Sequence, residues 1–144
     1  EDPVDRVSAR PDFVILCYPV VSMSEDCTHR RSRANLTGSE PEPALLDALS
    51  LEKRITPKCP PVFLWLTLED QTVDPENSRL LEAALKKNQV PYQAVYYRHG
   101  PHGLGLLTTE ERKKYPETAK WPRQLLAFLR DRNILVSNVE DCHE

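Results

Sequence analysis

Three unbroken apolar runs, each introduced by a proline, leave this chain few architectures to choose from. Asp12-Phe13-Val14-Ile15-Leu16-Cys17-Tyr18 lies between Pro11 and Pro19, Val62-Phe63-Leu64-Trp65-Leu66-Thr67 follows Pro61, and Tyr92 to Tyr97 follows Pro91. Short runs bounded by breakers and rich in β-branched and aromatic residues predict strands. Continuous rather than alternating hydrophobicity predicts strands buried on both faces, as in a parallel sheet between helices. Helical patterns fall between them. Asp74-Pro75-Glu76 combines a capping acid, a proline at the first helical position and an acid in the first turn. Leu80, Leu81, Ala84 and Leu85 continue at helical spacing, Lys86 and Lys87 place cations in the last turn, and Asn88 terminates. Val62 to Tyr97 therefore predicts a strand-helix-strand unit with a right-handed crossover. A last helix is expected from Pro122 through Leu125, Leu126, Phe128 and Leu129. A short one is expected from Thr109 to Tyr115, where Thr108 and Glu111 match a capping box.

Three such strands make an incomplete sheet. The strand Asp12 to Tyr18 would carry an apolar edge of unpaired backbone groups, so further strands are expected from another segment or chain. The chain opens Glu1-Asp2-Pro3 and its only methionine is Met23, which gives the same expectation of a piece, cleaved or assembled, rather than a whole translation product. Between Pro19 and Pro60 lies a polar stretch of about forty residues, against about 4–6 for an ordinary connection. It carries one weak helical segment, Pro43 to Leu49. Such an excursion at a strand's C-terminal end reads equally as a lid or pocket wall and as a surface insertion.

The 144 residues suit one ordinary domain. A net charge of −3 without like-charge blocks gives no footprint for nucleic acid and no disordered tail. The apolar runs are too short to span a bilayer, and no signal-peptide pattern opens the chain. Cys17, Cys27, Cys59 and Cys142 form no C-x-x-C pair, which favours a reduced, cytoplasmic setting and leaves a secreted or periplasmic one open. Thirteen prolines against four glycines punctuate the elements, and no internal repeat is visible.

Two residues at strand ends can carry chemistry. Asp70 follows the second strand, and His102 lies in the loop His99-Gly100-Pro101-His102-Gly103 after the third. If these strands are parallel neighbours, about 4.8 Å apart, both loops leave the same rim, where open α/β sheets place their sites. A carboxylate there fixes an imidazole's tautomer and stabilises the imidazolium formed on proton transfer. Acid then histidine is also the order of the α/β-hydrolase triad, in which the serine comes first. Competing readings are weaker. Glu69 beside Asp70 suggests paired carboxylates, but neighbours in extended chain face opposite sides. His99-x-x-His102 suggests a metal, but Gly100-Pro101 predicts a loop and no third ligand stands nearby. Tyr18 and Pro19, ending the first strand, either line a substrate pocket or pack the strand end. Trp65 is expected in the core. Asn35-Leu36-Thr37 fits a glycosylation acceptor without other signs of secretion. Arg30-Arg31 and Lys113-Lys114 read as solvated surface.

Longer motifs add a resemblance. Arg10-Pro11-Asp12-Phe13 through Tyr18-Pro19-Val20-Val21-Ser22-Met23 resembles the strand after the nucleophile elbow in small carbohydrate-esterase-like α/β-hydrolases. This acetyl-xylan-esterase-like group is related to dienelactone hydrolases and to the prolyl-oligopeptidase catalytic domain. Ser50-Leu51-Glu52-Lys53, Thr56-Pro57 and Pro60 to Trp65 continue the likeness. Its strongest parts are Glu69-Asp70-Gln71-Thr72-Val73 with Glu76-Asn77-Ser78, and His99-Gly100-Pro101-His102-Gly103-Leu104-Gly105-Leu106. It runs from Arg10 to Leu129 and implies that residues 1–144 form the C-terminal portion of one α/β-hydrolase domain, with 19–60 as lid or insertion.

The resemblance puts the triad acid on Asp70 and the triad histidine on His102, and it requires no cofactor. Two departures stand out: Asp74 intervenes before Pro75, and Pro101 precedes His102 where the family has glycine. Ser8, Ser22, Ser24, Ser32, Ser39, Ser50, Ser78 and Ser137 include none in G-x-S-x-G. The resemblance therefore places the nucleophile and oxyanion hole on a partner, the N-terminal half of the same fold. The implied substrate is a small acyl ester, such as an acetylated sugar; a homo-oligomer is left open. A non-catalytic hydrolase half serving in binding or assembly is the alternative, and a prolyl-oligopeptidase-type peptidase is another. A G-x-S-x-G upstream separates the first from the second, and an upstream β-propeller would mark the third.

Overall fold

The computed structural model describes residues 2–135. Ser137 and Cys142 lie outside the described residues. The three expected strands are β1 (Val14–Cys17), β2 (Val62–Thr67) and β3 (Tyr92–Tyr97). They form one parallel sheet in the order β1-β2-β3, with Cys17 opposite Trp65 and Thr67 opposite Tyr97. All carboxyl ends therefore emerge at one rim. The helices are α1 (Arg30–Thr37), α2 (Pro43–Leu49), α3 (Glu76–Lys87), α4 (Thr109–Lys114) and α5 (Trp121–Arg130), with 3-10 turns at Pro3–Arg6, Leu51–Lys53 and Thr118–Lys120. None of them is long and apolar enough to cross a membrane.

β2 is central, and every one of its residues is buried. Its side chains alternate between two layers. Phe63 and Trp65 pack with Trp121, Phe128 and Leu129 of α5, while Val62 and Leu64 pack with Leu81 and Leu85 of α3. With an apolar layer on each face, Val62 to Leu66 are all apolar and the sequence does not alternate.

β1 departs from expectation. It is four residues long, and Ile15 is 38% exposed while its neighbours are half-buried. Among the described residues β1 bonds only to β2, so it forms an edge and lacks the two-sided cover that its composition predicts. The strand stops where Tyr18 takes φ 40°.

The N-cap of α3 is Pro75 rather than the expected Asp74, the residue inserted relative to the family pattern, which lies one position earlier and still binds the first turn. Asp74 Oδ1 accepts the Glu76 N–H at 2.8 Å and the Asp74 carbonyl accepts the Asn77 N–H at 3.0 Å. The capping box before α4 also forms, with Thr108 Oγ1 accepting the Glu111 N–H and Glu111 Oε2 accepting the Thr108 N–H.

The excursion from Pro19 to Pro60 carries α1 in addition to the expected α2. Arg30–Thr37 buries no residue, so it has no apolar stripe from which a helix could be read. The start of the excursion is nonetheless fastened. Fully buried Asn77, in the first turn of α3, accepts the N–H groups of Val21 and Ser22 on Oδ1 at 2.9 and 3.1 Å. Its Nδ2 donates to the carbonyls of Cys27 and Asp74 at 2.6 and 3.1 Å. Both amide atoms are thereby used to capacity.

Candidate active site

Past the end of β2 the chain turns, and the Asp70 side chain goes inward with only 1% of its surface exposed. Its Oδ1 accepts the backbone N–H groups of Thr72 and Val73 at 2.8 and 2.9 Å. Its Oδ2 lies 2.7 Å from His102 Nδ1. A carboxylate can only accept, so this contact puts the imidazole proton on Nδ1 and leaves the neutral ring's lone pair on Nε2. Charge-assisted bonds of this length are among the stronger ones in proteins. The imidazole is 29% exposed, so it is held on one side and open on another.

The loop bearing His102 is tied to the β2 turn at two further points. Thr67 Oγ1 donates to the Gly100 carbonyl at 2.7 Å. Glu69 accepts the Gly100 N–H at 3.2 Å and pairs with His99 Nδ1 at 2.7 Å. The His99 bond foremost, and then the Gly100 N–H, hold the Glu69 carboxyl below the usual carboxylate range. From the other side, Thr118 Oγ1 donates to the His99 carbonyl at 2.8 Å.

Aromatic rings brace the imidazole from the β1 side. Tyr18 meets His102 edge-to-face at 4.6 Å and Trp65 at 5.1 Å, and Trp65 stacks on Trp121 at 5.1 Å. Gly105 links the ends of this row: its N–H donates to the Tyr18 hydroxyl at 3.2 Å and its carbonyl accepts the Trp121 indole N–H at 2.8 Å. Trp65 is fully buried, as its apolar neighbours predict, and its indole N–H points at Cys17 Sγ at 3.0 Å. Burial pushes the Cys17 thiol's pKa up.

The structure thus brings Asp70, His102 and Tyr18 together. Pro19 is partly buried at the same strand end, and no hydrogen bond or ring contact ties it to His102. Glu69 and Asp70 do not share a site; each holds a different histidine. Pro101 is exposed, and Gly100 before it stands at φ 138°, outside the α region that proline disfavours in its predecessor. The ties made by Thr67, Glu69, His99 and Gly105 were not anticipated. The available signal was two adjacent acids after one strand and two histidines three apart after the next. Among the described residues, no serine hydroxyl forms a hydrogen bond with His102; buried Ser22 bonds Glu52 and buried Ser50 bonds the Leu46 carbonyl. A depression of about 480 Å³ adjoins Asp70, between Cys27 to Arg30 and Gln71 to Pro75. Another of about 620 Å³ is lined by Glu69, His99 and Tyr115.

No family model matches the chain. Individual proteins do. Over 104 residues, 72% of the chain, it is 39% identical to endo-1,4-beta-xylanase B of Butyrivibrio fibrisolvens, of which it spans 16%. Over 103 residues it is 29% identical to an acetylxylan esterase of Xylanibacter ruminicola, of which it spans 22%. The crystal structure of an acetyl ester-xyloside bifunctional hydrolase from Caldicellulosiruptor lactoaceticus superposes with a TM-score of 0.86 at 38% identity. That match covers 94% of this chain and 48% of the other. The chain therefore spans about half of that solved structure and a smaller part of the curated relatives. Sheet topology and superposition define the class, the C-terminal part of an α/β-hydrolase fold. Its homologues are named as a xylanase and an acetylxylan esterase, and its structural neighbours of that fold are an acetyl ester-xyloside hydrolase and carboxylesterases.

Proposed function

We propose that Asp70 and His102 are the acid and base of a Ser-His-Asp triad that hydrolyses small acyl esters, acetylated carbohydrates foremost, with the serine supplied by a polypeptide segment outside these residues. The observation that carries this reading is the 2.7 Å bond from His102 Nδ1 to a buried carboxylate at the carboxyl rim of a parallel sheet. The esterase and xyloside-hydrolase names of the relatives supply the substrate class. In the reaction, the serine oxygen attacks the ester carbonyl as Nε2 of His102 takes its proton. Asp70 stabilises the resulting imidazolium, which returns the proton to the departing alcohol. Water then repeats the sequence on the acyl-enzyme, and backbone N–H groups beside the serine hold the oxyanion in both steps. The excursion from Pro19 to Pro60 is read as a wall of the substrate pocket, because Cys27 to Arg30 line the depression beside Asp70.

The test is turnover of aryl acetate and acetylated xylo-oligosaccharide by the full-length protein. His102→Ala is expected to lower kcat by several orders of magnitude, and Asp70→Asn by about 10⁴ through loss of the correct tautomer. Near-normal turnover in either variant would remove the assignment.

A further inference from the structure

We infer that Glu69 is a positioning residue for His102, acting through His99 and the Gly100 N–H; this rests on the triad reading above. The residues from Gly100 to Leu107 contain four at positive φ (Gly100, Gly103, Gly105 and Leu107), so no regular hydrogen-bond ladder fixes their path. The Asp70 bond orients the ring about its Nδ1 but does not by itself place Cα of His102. That placement falls to the ties on either side. Thr67 and Glu69 take the carbonyl and N–H of Gly100, two residues before the imidazole, and the Tyr18 hydroxyl takes the N–H of Gly105, three residues after it. Glu69 is the only one of these that grips twice, with one oxygen on the Gly100 N–H and the other on the His99 ring. It is also the immediate neighbour of Asp70. A shift of the β2 turn therefore moves acid and histidine together, and the distance between them is preserved.

Magnitudes separate this role from a structural one. The Glu69 and His99 side chains are 54% and 62% exposed, and exposed pairs of this kind contribute little to stability. A misplacement of about 1 Å at a general base, by contrast, costs about 10²-fold in rate. Loss of the pair should thus be small in folding and large in kcat. The lowered Glu69 pKa adds a sign: the carboxylate's favourable contacts are present above the ordinary carboxylate range and are lost only as pH falls through the lowered value, so the tie stays intact through neutral pH.

The experiment uses the full-length protein with aryl acetate as substrate and compares wild type, Glu69→Ala, His99→Ala, His99→Asn, the Glu69→Ala/His99→Ala double variant and His102→Ala. Asparagine places an amide N–H where His99 Nδ1 stands, so it keeps the donor without the ring. Expected are a 10- to 100-fold fall in kcat for Glu69→Ala and a smaller fall for His99→Ala, with KM within about threefold in each. Recovery in His99→Asn and a double variant no slower than Glu69→Ala are also expected. An Nδ1 proton on His102 that exchanges faster with solvent in His99→Ala than in His99→Asn gives a readout independent of turnover. Wild-type kcat in Glu69→Ala, with His102→Ala inactive, overturns the inference and leaves the triad standing. Should Glu69→Ala fail to fold, equal kcat in His99→Ala and His99→Asn overturns it instead. Full activity in His102→Ala removes the triad and this inference with it.

Discussion

At Gly100 the backbone sits at φ 138°, and a methyl group there would stand 2.8 Å from Leu104 Cδ1 and 3.0 Å from Thr67 Cγ2. The conformation demands glycine, and a methyl group would make Leu104 and Thr67 give way. Gly100→Ala is therefore expected to cost about 1–3 kcal/mol from the backbone alone, and to push the loop off Thr67. Thermal unfolding should show the first effect and kcat the second; a variant unchanged in both would mean that the loop relaxes freely. Asp70 and His102 were legible in the sequence because each stands a few residues past an apolar run and inside a motif that resembles the family's. The pair of Glu69 and His99 was not. Both sit in turns, where side-chain direction follows local dihedrals rather than a period of two, so spacing alone could not say which acid meets which histidine. Pro101, a departure from pattern, is exposed and follows a glycine at positive φ.

Among the elements, α3 does more than cover the sheet. Its first turn supplies Asn77, whose amide stitches the chain leaving β1 to the turn that follows Asp70. Asn77→Ala would strand the buried N–H groups of Val21 and Ser22, at about 1–3 kcal/mol each. A destabilisation of about 2–5 kcal/mol is expected in chemical denaturation; a loss under 1 kcal/mol would show that water or a shifted backbone replaces the amide. The family resemblance marked Asn77 within Glu76-Asn77-Ser78 but not its role, since a buried asparagine at a helix start looks like any capping residue. α1 was equally hidden, lacking an apolar face, whereas α3 and α5 announce theirs through leucine spacing. The loop after β3 carries a further constraint. Neighbouring acids grip histidines three apart, so one residue inserted between His99 and His102 would draw one ring off its carboxylate, whatever residue was added.

The whole molecule is shaped by what β1 lacks. Its fully apolar sequence suits a strand with neighbours on both sides, yet β2 alone bonds to it among the described residues, and Ile15 is left 38% exposed. Unpaired apolar edges invite other strands. Residues 2–135 produced by themselves are therefore expected to unfold over a broad temperature range and to bind hydrophobic dye, and co-expression with the preceding half of the fold should sharpen the transition. A sharp transition from the isolated monomer would contradict this. The composition of β1 predicts neighbours on both sides, and the structure leaves it at an edge; its short length and its turn at Tyr18 did not follow from any pattern. The open flank also sets a direction of travel. Any polypeptide laid along it in parallel runs toward the same end as β2 and β3, and whatever follows it emerges on the Tyr18 side.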